Sequence, residues 1–421
     1  MKTLKILIVI ILLLAINGCS FLNKNSKENN ITPTAVPTQG NNPTRTLTPT
    51  VLPTAVSTIK IIPTTVPSPT LPMEDTSNKP DNDDTISELI GQMSIEEKVG
   101  QLFFVRCNKD SAILDIETYH MGGFILFAGD FSGRTKNDVK EAINSYQSAS
   151  AIPLLIGVDE EGGKVNRVSK YPSFRLKPFQ SPQELYKLGG FDLIVQDTKE
   201  KAKLLKSLGI NVNLAPVCDI STDPKDFIYE RSFGKDAKMT SNYVKTVVET
   251  MKSRKLGSTL KHFPGYGNNV DTHTGIAIDN RSSKQFRTSD FLPFQAGIEA
   301  GADSILVSHN IVNCFDKKFP ASLSVAVHDI LREDLGYNGV IMTDDLSMNA
   351  ITAYTGNQAA AVLAVNAGND FIISSDYTIQ IPAVLAAVKE GKIKKSRINE
   401  SVRRILTWKQ SLGILESTNT D

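Results

Sequence analysis

Eight short apolar runs rich in β-branched residues, alternating with longer helix-like segments, predict an α/β fold over residues 85–418: a (β/α)8 TIM-type barrel, with room for irregularity, preceded by a disordered linker. The runs are apolar almost without a break, as strands buried on both faces are. Chemically capable side chains also stand just past the C-terminal ends of most of them. A doubly wound open sheet is the rival arrangement, because it alternates strands and helices in the same way.

The domain opens on Ser94-Ile95-Glu96-Glu97, a capping-box pattern ahead of a helical stretch. The strand-like runs then follow as Leu102 to Cys107, Gly123 to Phe127, Pro153 to Val158, Val212 to Val217, Ser258 to His262, Ser304 to Val307, Val340 to Thr343 and Phe371 to Ser374. The third run leads into Asp159-Glu160-Glu161-Gly162-Gly163 and the fourth into Asp219. The fifth ends on Lys261-His262, the sixth leads into Ser308-His309, and the seventh into Asp344-Asp345. In a barrel these ends converge on one mouth, so residues far apart in the chain face a single ligand. An open sheet would bring only some of them to one crevice.

The N-terminus is of a different character. Lys2 and Lys5 precede an apolar run from Ile6 to Ile16, followed by Asn17-Gly18-Cys19-Ser20, which is the layout of a secretory signal and too short to span a bilayer. Cys19 after a small residue resembles the bacterial lipoprotein cleavage site, where the cysteine becomes the lipidated first residue; an ordinary signal peptide with an incidental cysteine is the other reading. Residues 1–18 are therefore expected to be removed, and Cys19 to tie an exported chain to a membrane through its acyl chains. Residues 19–84 hold Pro33, Pro37, Pro43, Pro49, Pro53, Pro63, Pro67, Pro69, Pro72 and Pro80 among threonine, serine and asparagine, a composition that cannot offset the entropy of ordering. As extended polyproline II, such a spacer would reach on the order of 150 Å or more.

A net charge of +1 without a basic stripe argues against a nucleic-acid partner. Cys107, Cys218 and Cys314 are scattered and odd in number, which gives neither a disulfide framework nor a metal-ligand spacing. No metal or organic cofactor is expected.

The densest chemistry lies between Lys261 and His273, K-H-F-P-G-Y-G-N-N-V-D-T-H. An Asp two residues before a His can orient the imidazole for proton transfer near neutral pH, so Asp271 and His273 suggest a general acid/base. Asp344, ending an apolar run, is a nucleophile or a hydrogen-bond anchor, and with the Asp271/His273 pair would serve a two-step displacement at an acetal carbon. Asp345 reads as structural. Asp159, Arg167, Arg231, Lys261 and His262 supply carboxylate, guanidinium and imidazole groups suited to vicinal hydroxyls, although singly each is as readily a surface ion-pair member.

V-D-E-E-G-G-K-V-N-R, N-V-N-L-A-P-V-C-D, E-R-S-F-G, K-H-F-P-G-Y-G with D-T-H, P-A-S-L-S and T-D-D-L-S-M together resemble the successive signatures of family 3 glycoside hydrolases, and more narrowly their β-N-acetylhexosaminidase branch. The resemblance covers residues 85 to 415. It implies a retaining hydrolase of terminal β-linked N-acetylglucosamine acting on peptidoglycan fragments, with a carbohydrate substrate as its principal partner. By it Asp344 is the nucleophile, His273 the acid/base and Asp271 its partner, while Asp159, Arg167, Arg231, Lys261 and His262 form the sugar-binding set. The chain departs from the family pattern at Tyr266, where the family more often has His, and in a loop to Asp271 one residue shorter, departures that bear on rate and specificity. Some members take their acid/base from a second domain; with the sequence ending at Asp421, the barrel loops are expected to supply it here. A β-glucosidase, a glycosyl phosphorylase, or a wall-binding lipoprotein that has lost catalysis are the alternatives.

Overall fold

The computed structural model describes residues 82–269, 275–355 and 359–415. The signal-like segment, Cys19, the proline-rich stretch, Asp271 and His273 lie outside the described residues. The first helix, Asn82–Gln92, begins within the last residues read as linker. At Ser94 the capping box forms as its sequence demands: the Ser94 hydroxyl accepts from the Glu97 amide at 3.1 Å, and Glu97 accepts from the Ser94 amide at 2.7 Å.

The eight runs become β1 (Phe103–Arg106), β2 (Gly123–Leu126), β3 (Leu155–Val158), β4 (Val212–Asn213), β5 (Gly257–Phe263), β6 (Ser304–Val307), β7 (Val340–Thr343) and β8 (Ile372–Ser374). Each pairs in parallel with the next, and β1 pairs with β8. A parallel bridge from Met342 to Phe371 joins β7 to β8 and closes the ring. The arrangement is a barrel rather than an open sheet. Strand β4 is shorter than its apolar run because Pro216 has no amide to give to a ladder; the ladder resumes only at a bridge from Val217 to Lys261. A small parallel pair, Ile278–Asp279 with Ile311–Val312, was not legible in the sequence, since two-residue strands leave no period.

Alternation along the strands separates two layers of core. Phe104, Ile125, Leu155, Leu306 and Met342 point into the barrel, whereas their neighbours Phe103, Phe124, Ile156, Ile305 and Ile341 pack outward with the helices. Inside, the Phe104 and Phe371 rings stack at 4.8 Å, and Trp408 meets Phe371 edge-on. Gly157 gives this stack its space: a Cβ there would lie 2.4 Å from the Phe104 ring. The final helix, Lys395–Ser411, contributes Ile405 and Trp408 to the same cluster and stoppers the barrel at the N-terminal ends of its strands, where the indole packs against Gly257. No helix among the described residues is long and apolar enough to cross a membrane.

Beside Trp408 lies a fully buried lysine. Lys409 donates to Gln101 Oε1 at 2.7 Å, and no acid pairs with it among the described residues. Burial pushes its amine down to about 7. A lysine whose folded pKa is depressed lets the unfolded chain bind the extra proton between that value and its ordinary one, so stability rises with pH across this window. In urea unfolding, wild type should gain about 2 kcal/mol on Lys409→Met between pH 7 and 9. A difference between the two proteins that does not change with pH would contradict a neutral amine.

Candidate active site

The C-terminal ends of the strands surround a cavity of about 530 Å³. Asp159, Arg167, Arg231, Lys261, His262 and Asp344, predicted from four separate stretches of sequence, all line it. A larger cavity of about 670 Å³ lies at the opposite end, beside Asp303, Asn338 and Trp408, and none of the predicted residues reaches it. The chemistry therefore belongs to the mouth.

Lys261 is the centre of the arrangement. Its side chain is 2% exposed, and Nζ lies 2.7 Å from Asp159 Oδ1 and 2.6 Å from Glu161 Oε1. Arg231 grips the same Glu161 with two parallel bonds, Nε to Oε2 at 3.0 Å and a terminal nitrogen to Oε1 at 2.7 Å. Burial alone would raise the Glu161 carboxyl, but Arg231 and Lys261 outweigh it and hold the group well below the usual carboxylate range. Burial likewise opposes the charge on Lys261, and Asp159 with Glu161 overcomes it, leaving the ammonium above its ordinary value. Glu161 was not among the residues singled out from the sequence. Three acids in Asp159-Glu160-Glu161 look alike there, and only the fold distinguishes their directions.

Glu160 turns the other way. Its carboxylate accepts from the amides of Arg167 at 2.8 Å, Val168 at 2.7 Å and Ser169 at 3.2 Å, and from the Ser169 hydroxyl, which pins the loop that carries Arg167. The loop can turn here because Gly162 sits at φ 99°, with Gln180 O 2.3 Å from where a Cβ would be. Gly162 and Gly163 do not line the cavity but make the tight turn behind it. Arg167 reaches Asp159 at 3.9 Å, and its buried Nε has no hydrogen-bond partner among the described residues.

His262 is set by its neighbours. Arg231 has only donors to offer its Nε2 at 3.2 Å, so that nitrogen accepts, and Nδ1 carries the hydrogen given to Asp219 at 2.7 Å. Asp219 also takes the backbone amides of His262 at 3.1 Å and Tyr266 at 2.7 Å, so one buried carboxylate fixes both the ring and the chain leaving β5. The Lys261–His262 peptide bond is cis, and the register of β5 against β6 shifts between Lys261 and Phe263. Tyr266 is buried with its ring edge-on to His262 at 5.1 Å and tilted against Phe227 on the cavity rim at 5.8 Å. Past the gap in the described residues, Arg281 ties Asp279 and Asp290 at 2.7 Å each and donates to Gly265 O, so both flanks of that segment are anchored.

Across the cavity Asp344 follows β7, its amide bonded to Val307 O and its Oδ1 held by the Asp345 amide at 2.8 Å. Asp345 is structural, as its sequence position suggested. Its Oδ1 accepts from the amides of Ser347 and Ser375 and its Oδ2 from the Ser375 hydroxyl, while its carbonyl accepts from His309 Nε2. His309 is thus a buried prop for this turn, donating at Nε2 and accepting from Ser322 at Nδ1.

Removing the charge of Glu161 would take the paired carboxylate from buried Arg231 and leave buried Lys261 with Asp159 alone. Glu161→Gln should cost about 3–5 kcal/mol in urea unfolding. Because its folded pKa is depressed, this contribution is present above the ordinary glutamate value and lost as pH falls through the folded one. The gap between wild type and variant should therefore stay level from pH 8 to about 5 and narrow only below about 4. A cost under about 1 kcal/mol would show that the ring of charges does not depend on Glu161.

Comparison with known proteins agrees with this geometry. Residues 94–408 match the glycosyl hydrolase family 3 N terminal domain. A Beta-hexosaminidase of Stenotrophomonas maltophilia (strain R551-3) is 34% identical over 259 residues, which is 60% of this chain and 76% of that protein. A Beta-N-acetylglucosaminidase/beta-glucosidase of Cellulomonas fimi is 27% identical over 78% of this chain and 60% of its own length. The structure of a glycoside hydrolase family 3 beta-N-acetylglucosaminidase from Paenibacillus sp. str. FPU-7 superposes with a TM-score of 0.72 at 31% identity; 78% of this chain spans 65% of that one. The barrel, the ring of charges around Lys261 and this kinship agree: the chain belongs to glycosyl hydrolase family 3, on its β-hexosaminidase side.

Proposed function

We propose that the protein is a retaining exo-β-N-acetylglucosaminidase that removes terminal β-linked N-acetylglucosamine from peptidoglycan-derived or related glycans. The observation that carries this reading is the placement of Asp344 in the same cavity as Asp159, Arg167, Arg231, Lys261 and His262. A carboxylate thus faces a ring of directional donors and acceptors of the kind that fixes a sugar by its hydroxyls. The Paenibacillus relative is a beta-N-acetylglucosaminidase, and the Stenotrophomonas relative a Beta-hexosaminidase, which supports an amino sugar as the group removed.

In the proposed reaction an Asp344 oxygen attacks the anomeric carbon as the bond to the leaving oxygen breaks, and His273, its ring oriented by Asp271, gives that oxygen its proton. The glycosyl ester on Asp344 is then opened by water, whose proton returns to His273. Two displacements restore the β configuration. The 2-acetamido oxygen of the substrate is the competing nucleophile in a substrate-assisted route. The Asp345 amide at Asp344 Oδ1 and the three bonds to the Asp345 carboxylate favour a nucleophile held in one pose.

A β-glucosidase activity is the second reading, favoured by the double name of the Cellulomonas relative. Chromogenic β-N-acetylglucosaminide and β-glucoside, each assayed with and without phosphate, separate the possibilities. The expected result is hydrolysis of the N-acetylglucosaminide, faster than of the glucoside and independent of phosphate. Phosphate-dependent release would mean phosphorolysis, and no turnover of either would leave a wall-binding protein. We also propose that the protein is exported and lipid-anchored through Cys19. Cys19→Ser should move it from the membrane to the soluble fraction, and an unchanged membrane fraction would refute the anchor.

A further inference from the structure

Each of the other cations lining the mouth cavity has an acid beside it: Lys261 has Asp159 and Glu161, Arg231 has Glu161, and Arg167 has Asp159 at 3.9 Å. Arg106 is different. It is the last residue of β1, it lines the cavity, and its side chain makes neither a hydrogen bond nor an ion pair among the described residues. The guanidinium is nevertheless positioned, because its carbon lies 4.7 Å from the centre of the Phe127 ring, just past β2. The nearby Asp130 carboxylate feels the arginine's charge but is turned to the Phe127 amide at 2.7 Å, so it fixes the segment bearing the ring and forms no ion pair with the arginine.

A guanidinium stacked on an aromatic face spends its π surface there and keeps its in-plane N–H groups for another partner. That fork matches the oxygens of a carboxylate or a phosphate. In the closed barrel β1 is two strands from β7, so at about 5 Å per strand Arg106 begins about 10 Å from the strand bearing Asp344. That separation leaves room for the sugar under attack beside Asp344 and puts the Arg106 side chain within reach of a substituent on the group that leaves.

We propose that Arg106, held by Phe127, is a specificity-determining residue that recognises an oxyanion on the leaving side of the substrate, a carboxylate or a phosphate close to the cleaved linkage. The inference rests on the glycosidase reading of the same cavity. Under it, the substrate is an anionic glycan and the neutral glycoside a poor stand-in. Arg106 takes no part in bond cleavage, so its loss acts on KM far more than on kcat.

The test uses three β-N-acetylglucosaminides, with 3-carboxyphenyl, 3-(methoxycarbonyl)phenyl and 3-phosphophenyl leaving groups, on wild type, Arg106→Met and Arg106→Lys. Wild type should favour an anionic substrate over the neutral ester by roughly 10- to 100-fold in kcat/KM, mainly through KM. The preference should weaken at high salt. Whichever anion is preferred identifies the oxyanion. Arg106→Met should abolish the preference and leave hydrolysis of the ester within about twofold, while Arg106→Lys should keep part of it. Equal use of acid and ester by wild type, or a preference that survives Arg106→Met, would overturn the proposal while leaving the glycosidase reading intact. An ester rate that falls in step with the anionic ones in Arg106→Met would assign Arg106 to the fold instead. Failure of wild type to cleave any of the three would remove both readings.

Discussion

An ammonium buried at the mouth of a barrel has to be neutralised, and the site follows from how Lys261 meets that demand. Two carboxylates from the loop after β3 close on it, and the second of them brings in Arg231 from the segment after β4. Arg231 in turn sets the hydrogen on His262, whose other nitrogen is held by Asp219. One charge thus links the ends of three adjacent strands into a rigid array. Such an array presents fixed directions to a ligand without reorganising, which is where binding and catalysis gain most.

The barrel divides the labour between its two ends. Its interior is filled by Phe104, Phe371 and their neighbours and stoppered by Trp408 and Ile405 from the final helix. The filled end gives the strands a fixed register, and the open end carries the charges. Asp344 and Asp345 show the coupling: the second acid spends its oxygens and its carbonyl on Ser347, Ser375 and His309, and its amide steadies the first. In this arrangement the acid that bonds to the backbone most fully is the least available for chemistry.

Much of this was legible in the sequence for physical reasons. Buried parallel strands must be apolar on both faces, so the runs from Leu102 to Ser374 stood out, and a barrel sends their ends to one place. Other features were hidden. That Glu160 fastens a loop while Glu161 faces the cavity depends on a turn at Gly162 that sequence spacing does not specify. Asp219 was noted at a strand end, yet its three bonds to His262 and Tyr266 need the fold to be seen. Arg106 left no signal at all, since an arginine at the end of an apolar run looks like a strand's exit into solvent.

The central claim is that Asp344 is the group this array serves. A 2-fluoro glycosyl donor with a good leaving group, incubated with the full chain and followed by peptide mass spectrometry, tests it directly. The account predicts a single glycosyl adduct on Asp344. Intact turnover of the natural-type glycoside with no adduct on Asp344, or with the label on another residue, would contradict it.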